Sequence, residues 1–252
     1  MKAPENFPSR EEFCALARDC FKINSLSALL TPEIEEKLYT LSLYLLEQNE
    51  RGNLTAITRA EEIIAKHLAD SVAASALIRE GTSLVDVGSG AGFPALPLAI
   101  VRPDLSILAI ESNHRKVDYI NSAAALVGAT NIRAICARAE EAAAVGGELR
   151  ESFDFATARG VAELRVLCEL CLPFVRCGGS FVALKGKRAD EELAGAKNAT
   201  SMLGGKYLRT LPLEVKTSGG EPLEHCAIVI KKEKASQPIY PRPYAKITKR
   251  PL

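Results

Sequence analysis

No stretch of the sequence approaches the ~18 consecutive apolar residues of a membrane-spanning helix, which excludes an integral helical membrane protein. The opening Met1-Lys2-Ala3-Pro4-Glu5-Asn6 lacks the apolar core of a secretory signal, so a cytoplasmic protein is expected. Internal repeats and low-complexity blocks are missing too. With 47% hydrophobic and 25% charged residues, a disordered or collagen-like chain is ruled out. No charge of either sign prevails: 32 Lys and Arg stand against 31 Asp and Glu. The balance is uneven, at net −4 over residues 1–80, −2 over 81–180 and +7 over 181–252. Such a basic end permits a polyanionic partner without requiring one. The seven cysteines are an odd number without a secretory signal, which predicts free thiols in a reducing compartment. Cys168 and Cys171 form a C-x-x-C, but no second pair at a suitable spacing accompanies it, so no metal site is expected. Val161, Leu164, Cys168, Cys171 and Val175 instead recur at helical spacing, as small buried hydrophobes would.

What is present, 252 residues, suffices for one large α/β unit or two smaller ones. The first 80 residues read as helices. Ser9 and Glu12 form a capping box ahead of Phe13, Leu16, Ala17, Cys20 and Phe21. Thr31-Pro32 opens a second helix, which breaks at Arg51-Gly52-Asn53. Thr58 and Glu61 predict another capping box, for a helix reaching Ile78. From Gly81 the texture changes. Strands are predicted at 83–87, 105–110, 132–136, 153–158 and 180–185, with helices from the glycine turn to about 101, at 112–127 and at 161–175 between them and another at 190–203 after the last. A turn at Cys177-Gly178-Gly179 leads into the fifth strand. Segments 206–216 and 225–231, joined at Ser218-Gly219-Gly220, predict a terminal hairpin. The expected fold is therefore α/β and Rossmann-like: a mostly parallel seven-stranded sheet with a C-terminal antiparallel hairpin and an N-terminal helical extension. The expected division is a helical extension over 1–80, the α/β domain over 81–232 and a basic, proline-containing tail over 233–252.

In such sheets ligands sit beyond the carboxyl ends of the strands. That rule directs attention to Gly88–Gly92, Glu111, Cys136–Glu140, Arg159 and Lys185. The turn after the first strand reads Asp86-Val87-Gly88-Ser89-Gly90-Ala91-Gly92-Phe93-Pro94. A dinucleotide fold asks for G-x-G-x-x-G, whereas Phe93 stands at the third glycine position and the spacing here is G-x-G-x-G. With Asp86 two residues ahead of Gly88, the turn resembles that of S-adenosylmethionine (SAM) methyltransferases. Glu111, with Ser112 beside it, ends the second strand, where an acid accepts hydrogen bonds from ribose hydroxyls. A dehydrogenase uses an acid there as well, and glycines also make purely structural turns, so both readings stay open at this point.

Further segments narrow the resemblance. Asn53-Leu54-Thr55-Ala56-Ile57, His67-Leu68-Ala69-Asp70-Ser71, the glycine turn and Ile100-Val101-Arg102-Pro103 come in that order. After them come Glu111-Ser112, Ala137-Arg138-Ala139-Glu140-Glu141, Ala158-Arg159-Gly160-Val161-Ala162 and Ala183-Leu184-Lys185-Gly186. Together they resemble the RsmG (GidB) family, which methylates N7 of a guanine in bacterial 16S rRNA. The likeness runs from about residue 40 to the end, where Tyr240-Pro241-Arg242 and Lys249-Arg250-Pro251-Leu252 also match. The resemblance implies SAM as cofactor. Carried over by motif, it implies Gly88, Phe93, Ala139, Glu140 and Arg159 in its site, alongside Asp86, Gly90, Gly92, Glu111 and Ser112 of the turn and second strand. One departure stands out: Ala95 occupies a position where the family usually has glycine.

Guanine N7 carries an in-plane lone pair and no proton, so in-line transfer to it requires no general base. Consistently, the chain lacks the Asn/Asp-Pro-Pro-Tyr/Phe motif of exocyclic-amine methylases, and none of its cysteines follows a proline, as a cytosine-C5 nucleophile would. What remains is positioning. Arg159 is expected to hold the methionine carboxylate or an RNA phosphate, and Lys185 a phosphate or the guanine O6 edge. His67 and Asp70 share one helix face and either support the glycine turn or touch RNA. Tyr240 and Tyr244, interleaved with tail cations, are candidates for base stacking. The tail is otherwise expected to be a partly disordered, solubilising end. The acidic first half favours a structured ribonucleoprotein substrate over naked RNA, and the protein is expected to be a monomer. A NAD-dependent oxidoreductase and a non-catalytic RNA-binding protein on the same fold are the alternatives.

Overall fold

The computed structural model describes residues 4, 7–217 and 219–252. The Met1–Asn6 opening therefore lies outside the described residues except at Pro4, as does Ser218 of the expected hairpin turn. Ser9 caps α1 (Arg10–Ile23) as its sequence predicts: its Oγ accepts from Glu12 N at 3.4 Å while its own N donates to Glu12 Oε2 at 2.9 Å. Thr31 caps α2 (Pro32–Gly52), which ends at Asn53 in the left-handed conformation. The Thr58–Glu61 capping box does not form. The helix starts one residue later, with Arg59 at the cap and no side-chain bond there. It runs as α3 (Ala60–Glu62), a π-helical stretch Ile63–Ala69 and α4 (Asp70–Ala73), and a 3₁₀ turn, Ser75–Leu77, replaces the predicted last turns. Asp70 N bonds Ala65 O, the wide register that defines the π stretch and one often found beside functional sites.

The strands are β1 (Ser83–Val87), β2 (Ser106–Glu111), β3 (Ile132–Cys136), β4 (Phe153–Arg159), β5 (Val175–Lys185), β6 (Gly205–Leu213) and β7 (His225–Lys232). They form one seven-stranded sheet in the order β3-β2-β1-β4-β5-β7-β6. The first five are parallel, and β7 inserts antiparallel between β5 and β6. Between the strands lie α5 (Ala95–Val101), α6 (His114–Leu126), α7 (Ala139–Ala142), α8 (Leu164–Cys171), α9 (Ala189–Gly195) and α10 (Lys197–Met202), and α11 (Tyr244–Lys249) follows the sheet. Central strands are buried on both faces, so alternate residues feed two cores. Leu84 joins Phe13, Leu38 and Ile64 of the N-terminal helices on one face. Val85 and Val87 join Leu167, Cys168 and Ile247 on the other.

Three sequence expectations shift on this second face. The helix expected over 161–175 covers only α8 and a 3₁₀ turn, because Pro173 has no amide hydrogen to continue it. Val161 is left outside and exposed, whereas Cys168 and Cys171 are buried as expected. The turn at Cys177–Gly179 is absorbed into β5 as a bulge, since the pairing jumps from Phe153–Val175 to Phe155–Ser180. The helix over 190–203 is two helices, broken at Ala196.

The C-terminal tail is docked rather than free. Arg242 pairs with the fully buried carboxylate of Glu169 at 2.5 Å. Arg150 donates to the carbonyls of Ser236 and Tyr240 at 2.9 and 2.7 Å. Lys232 is wholly buried and donates to Leu172 O and Ser236 Oγ, and Lys231 donates to Gly178 O. Tyr240 is buried in the core, which removes it from base stacking, whereas Tyr244, Lys246, Lys249 and Arg250 remain exposed.

Candidate active site

Past the carboxyl ends of β1 to β4 lies a cleft of about 420 Å³. It brings together Gly88, Gly90, Phe93, Glu111, Ser112, Ala139, Glu140 and Arg159, eight of the residues singled out by sequence. The turn is built to leave space. Gly88, Gly90 and Gly92 all have positive φ, which L side chains adopt at a cost. Their surroundings differ. A Cβ at Gly88 would stand 2.7 Å from Val161 Cγ2, and one at Gly92 would lie 2.8 Å from Leu96 Cγ. A Cβ at Gly90 would meet nothing nearer than Gly88 O at 4.0 Å, so this carbon faces the open cleft. Ile110 O accepts from both Gly88 N and Ser89 N, and Glu111 Oε2 accepts from Gly90 N at 3.0 Å. The turn is thus clamped to the end of β2. Glu111 Oε1 accepts from Asn113 N at 2.9 Å, which fixes the carboxylate in the cleft wall.

Asp86 and Gly92 do not line the cleft. Asp86 is buried beneath the turn, where Thr157 Oγ1 donates to its Oδ1 at 2.9 Å and its Oδ2 has no partner among the described residues. Burial pushes its carboxyl up to about 6. Gly92 packs on Leu96 and Ile120. Both therefore shape the turn from behind. Ala95 is also buried, at the first position of α5, and does not reach the cleft.

The far wall comes from the N-terminal helices. His67 stacks on Phe93, with ring centroids 4.4 Å apart and planes 7° from parallel. Its Nε2 lies 2.8 Å from Thr55 Oγ1, while its Nδ1 is buried without a partner among the described residues. Burial, reinforced by the Arg159 charge, pulls the imidazole down to about 4, so the ring is neutral near pH 7. Arg159 lies over the same Phe93 ring at 5.8 Å and donates to Asp70 Oδ2 at 2.8 Å and Lys66 O at 3.0 Å. Of the two sequence readings for His67 and Asp70, support of the site fits His67, which packs on Phe93 at the end of the glycine turn, whereas Asp70 braces Arg159 rather than the turn itself.

Lys185 is not a free ammonium at the strand end. Its side chain is 8% exposed, lies 2.6 Å from Glu192 and donates to Ala162 O at 2.8 Å. It ties β5 to the loop after β4 and to α9, and it faces a second cavity. Sequence reasoning did not place Leu54, Lys116, Val161 or Tyr244 in the cleft, yet all four line it. Tyr244 arrives there because the tail folds back, and Arg138 covers its ring at 5.7 Å. No local pattern announces such a contact.

Known proteins resemble this arrangement in sequence and in fold. The family model described as rRNA small subunit methyltransferase G (GidB) matches residues 34–218. Ribosomal RNA small subunit methyltransferase G of Clostridium beijerinckii is 43% identical over 225 residues, covering 88% of this chain and 92% of its own. The protein of the same name from Clostridium perfringens is 40% identical, covering 86% of this chain and 92% of its own. A SAM-dependent methyltransferase from Aquifex aeolicus, 16% identical, superposes with a TM-score of 0.50 over 67% of this chain and 91% of its own, a likeness of fold. The family match spans most of the chain, with the glycine turn and every cleft residue except Tyr244 inside it, and the chain therefore belongs to the rRNA small subunit methyltransferase G (GidB) family.

Proposed function

We propose that the protein transfers a methyl group from SAM to N7 of a guanine in the 16S rRNA of the small ribosomal subunit. Family membership supports a methyltransferase acting on this RNA. The observation that carries the cofactor reading is the open Cα face of Gly90 at the centre of the cleft, ringed by the Glu111 carboxylate and the Phe93–Arg159 wall. SAM, when bound, supplies an electrophilic methyl group on a sulfonium. Gly88–Gly90 admit the ligand backbone-close, Glu111 and Ser112 suit ribose hydroxyls, and Ala139 and Glu140 flank the base end. Phe93, His67 and Arg159 form the methionine end. A neutral His67 adds no positive charge to a site that must accept a cation.

The chain's task is alignment, because N7 has no proton to remove. Pre-orienting reactants supplies up to ~7–11 kcal/mol of a barrier. Arg159, gripped by Asp70 and the Lys66 carbonyl, is a rigid positioning group rather than a base. Lys185 acts through the loop that it braces at Ala162. The exposed cations Lys246, Lys249 and Arg250 at the end of the tail suit phosphates of a structured ribonucleoprotein substrate. We place the protein in the cytoplasm, with its proposed ribosomal substrate, as a monomer. No helix among the described residues is long and apolar enough to cross a membrane.

The test is mass-spectrometric mapping of methylguanosine in 16S rRNA from cells with and without the protein. One N7-methylguanosine is expected to vanish in its absence; an unchanged map refutes the proposal. SAM at 100 times its Kd is expected to stabilise the protein by about 2.7 kcal/mol, with no shift from NAD. The reverse pattern would favour the oxidoreductase alternative.

A further inference from the structure

A second cavity, about 410 Å³ in volume, adjoins the first and shares His67, Arg159 and Gly160 with it as a common wall. It opens at the same sheet edge, past β4 and β5. Antiparallel β7 begins there too, because Cys226 pairs with Lys185. Ile57, Leu184 and Leu223 give it apolar sides suited to a flat ring, and its volume is that of a small-molecule site.

Most of its polar groups are already engaged with one another. Lys185 pairs with Glu192, and Asp70 holds Arg159 on Oδ2 and His225 Nδ1 on Oδ1, at 2.8 and 2.7 Å. Two ring nitrogens are exceptions: the buried Nδ1 of His67, and Nε2 of His225, the first residue of β7. In its neutral form the His225 ring donates to the Asp70 carboxylate from Nδ1, which leaves Nε2 an acceptor. Nε2 makes no hydrogen bond among the described residues, and the side chain is 37% exposed.

Building on the guanine-N7 reading above, the geometry points to His225 as a specificity-determining residue that touches the acceptor base. A guanine whose N7 faces the first cleft turns its N1–H and N2 amine away from that cleft, into the second cavity. An acceptor there pairs with the N1–H and N2 amine of guanine, whereas adenine presents an acceptor at N1 and a bare C2–H where guanine carries its amine. Asp70 fixes the ring orientation, so a single carboxylate orders both Arg159 on the cofactor side and His225 on the base side.

The test compares His225→Asn with His225→Gln in methyl transfer to unmodified 16S rRNA in small subunits. Asn reproduces Nδ1 and its bond to Asp70 but has no acceptor at the Nε2 position; Gln reaches that position with its carbonyl oxygen. His225→Asn is expected to keep its melting temperature and SAM affinity while kcat/KM on the RNA falls roughly 5- to 150-fold, the effect of one unpaired buried donor. His225→Gln is expected to recover at least a third of wild-type kcat/KM. Three results overturn the assignment: His225→Asn within threefold of wild type, a matching loss of SAM affinity, or His225→Gln no better than His225→Asn. Should the wild-type protein transfer no methyl group to this RNA, the proposed function itself fails and the assignment with it.

Discussion

Gly90 and Gly92 have similar backbones, φ +57 and φ +80, but differ in what surrounds the missing side chain. Gly90→Val is expected to abolish stabilisation by SAM in a protein that still unfolds cooperatively, because its side chain enters open cleft. Gly92→Val is expected to lower stability itself, since its Cβ would already lie 2.8 Å from Leu96 Cγ in the core. Thermal melts of both variants with and without SAM separate the two effects. Arg159 combines both kinds of role. Removing it strips the Asp70 carboxylate, 3% exposed, of its strongest partner. Arg159→Ala is therefore expected to cost ~3–5 kcal/mol in urea unfolding. It is also expected to raise the SAM Kd roughly 10- to 150-fold by calorimetry, as the loss of a charge-assisted hydrogen bond does. Wild-type stability in this variant would show that the ion pair is not structural.

At the scale of elements, the C-terminal tail changes meaning most. Its sequence reads as a solubilising basic end, but Lys232, Tyr240 and Ile247 are buried and Arg242 neutralises Glu169. Deleting the chain after β7 is expected to destabilise the whole domain and to weaken SAM binding, because Tyr244 is lost from the cleft wall. A truncated protein with normal melting temperature and SAM affinity would contradict the docking. The RNA role needs a gentler probe: Lys246, Lys249 and Arg250 changed together to Gln. This variant is expected to keep its melting temperature while the slope of log K against log salt flattens by about 0.7 to 0.9 per lost phosphate contact. An unchanged slope would assign RNA binding to another surface.

For the molecule as a whole, the N-terminal helices and the sheet share one hydrophobic core, so the state of His67 bears on global stability. Its imidazole is held down to about 4 in the fold, against an ordinary value of 6.5. The unfolded chain binds that proton first as pH falls. The stabilisation by the neutral ring is complete above pH 6.5 and is lost as pH falls to about 4, a change of about 3 kcal/mol. Asp86 works in the opposite sense: raised to about 6, it favours the folded state below its ordinary 3.8 and loses that contribution as pH rises through 6. Comparison with His67→Gln isolates the histidine. The stability gap between wild type and this variant, from urea unfolding, is expected to shift by about 3 kcal/mol between pH 7 and pH 4, against the wild type. A constant gap would show that His67 is not buried as a neutral ring.

The alternation of strands and helices, the glycine turn after β1 and the acid at the end of β2 were all legible in the order of residues. These depend on local periodicity, on glycine's access to positive φ and on strand order, all of which act over a few residues. The strand-end rule located six of the eight cleft residues, since chemistry at a parallel sheet gathers where strands end, and the family resemblance added Phe93 and Ser112. The sequence did not reveal whether a given polar group is free. Lys185 and Arg159 look alike as basic residues closing adjacent strands, yet one is locked to Glu192 and the other to Asp70, a residue 89 positions away. His225 meets the same Asp70 across 155 positions, and Tyr244 reaches the cleft only because the tail packs back on α8. Pairing and burial depend on neighbours far apart in the chain, and only the tertiary structure decides which charges are left to meet a ligand.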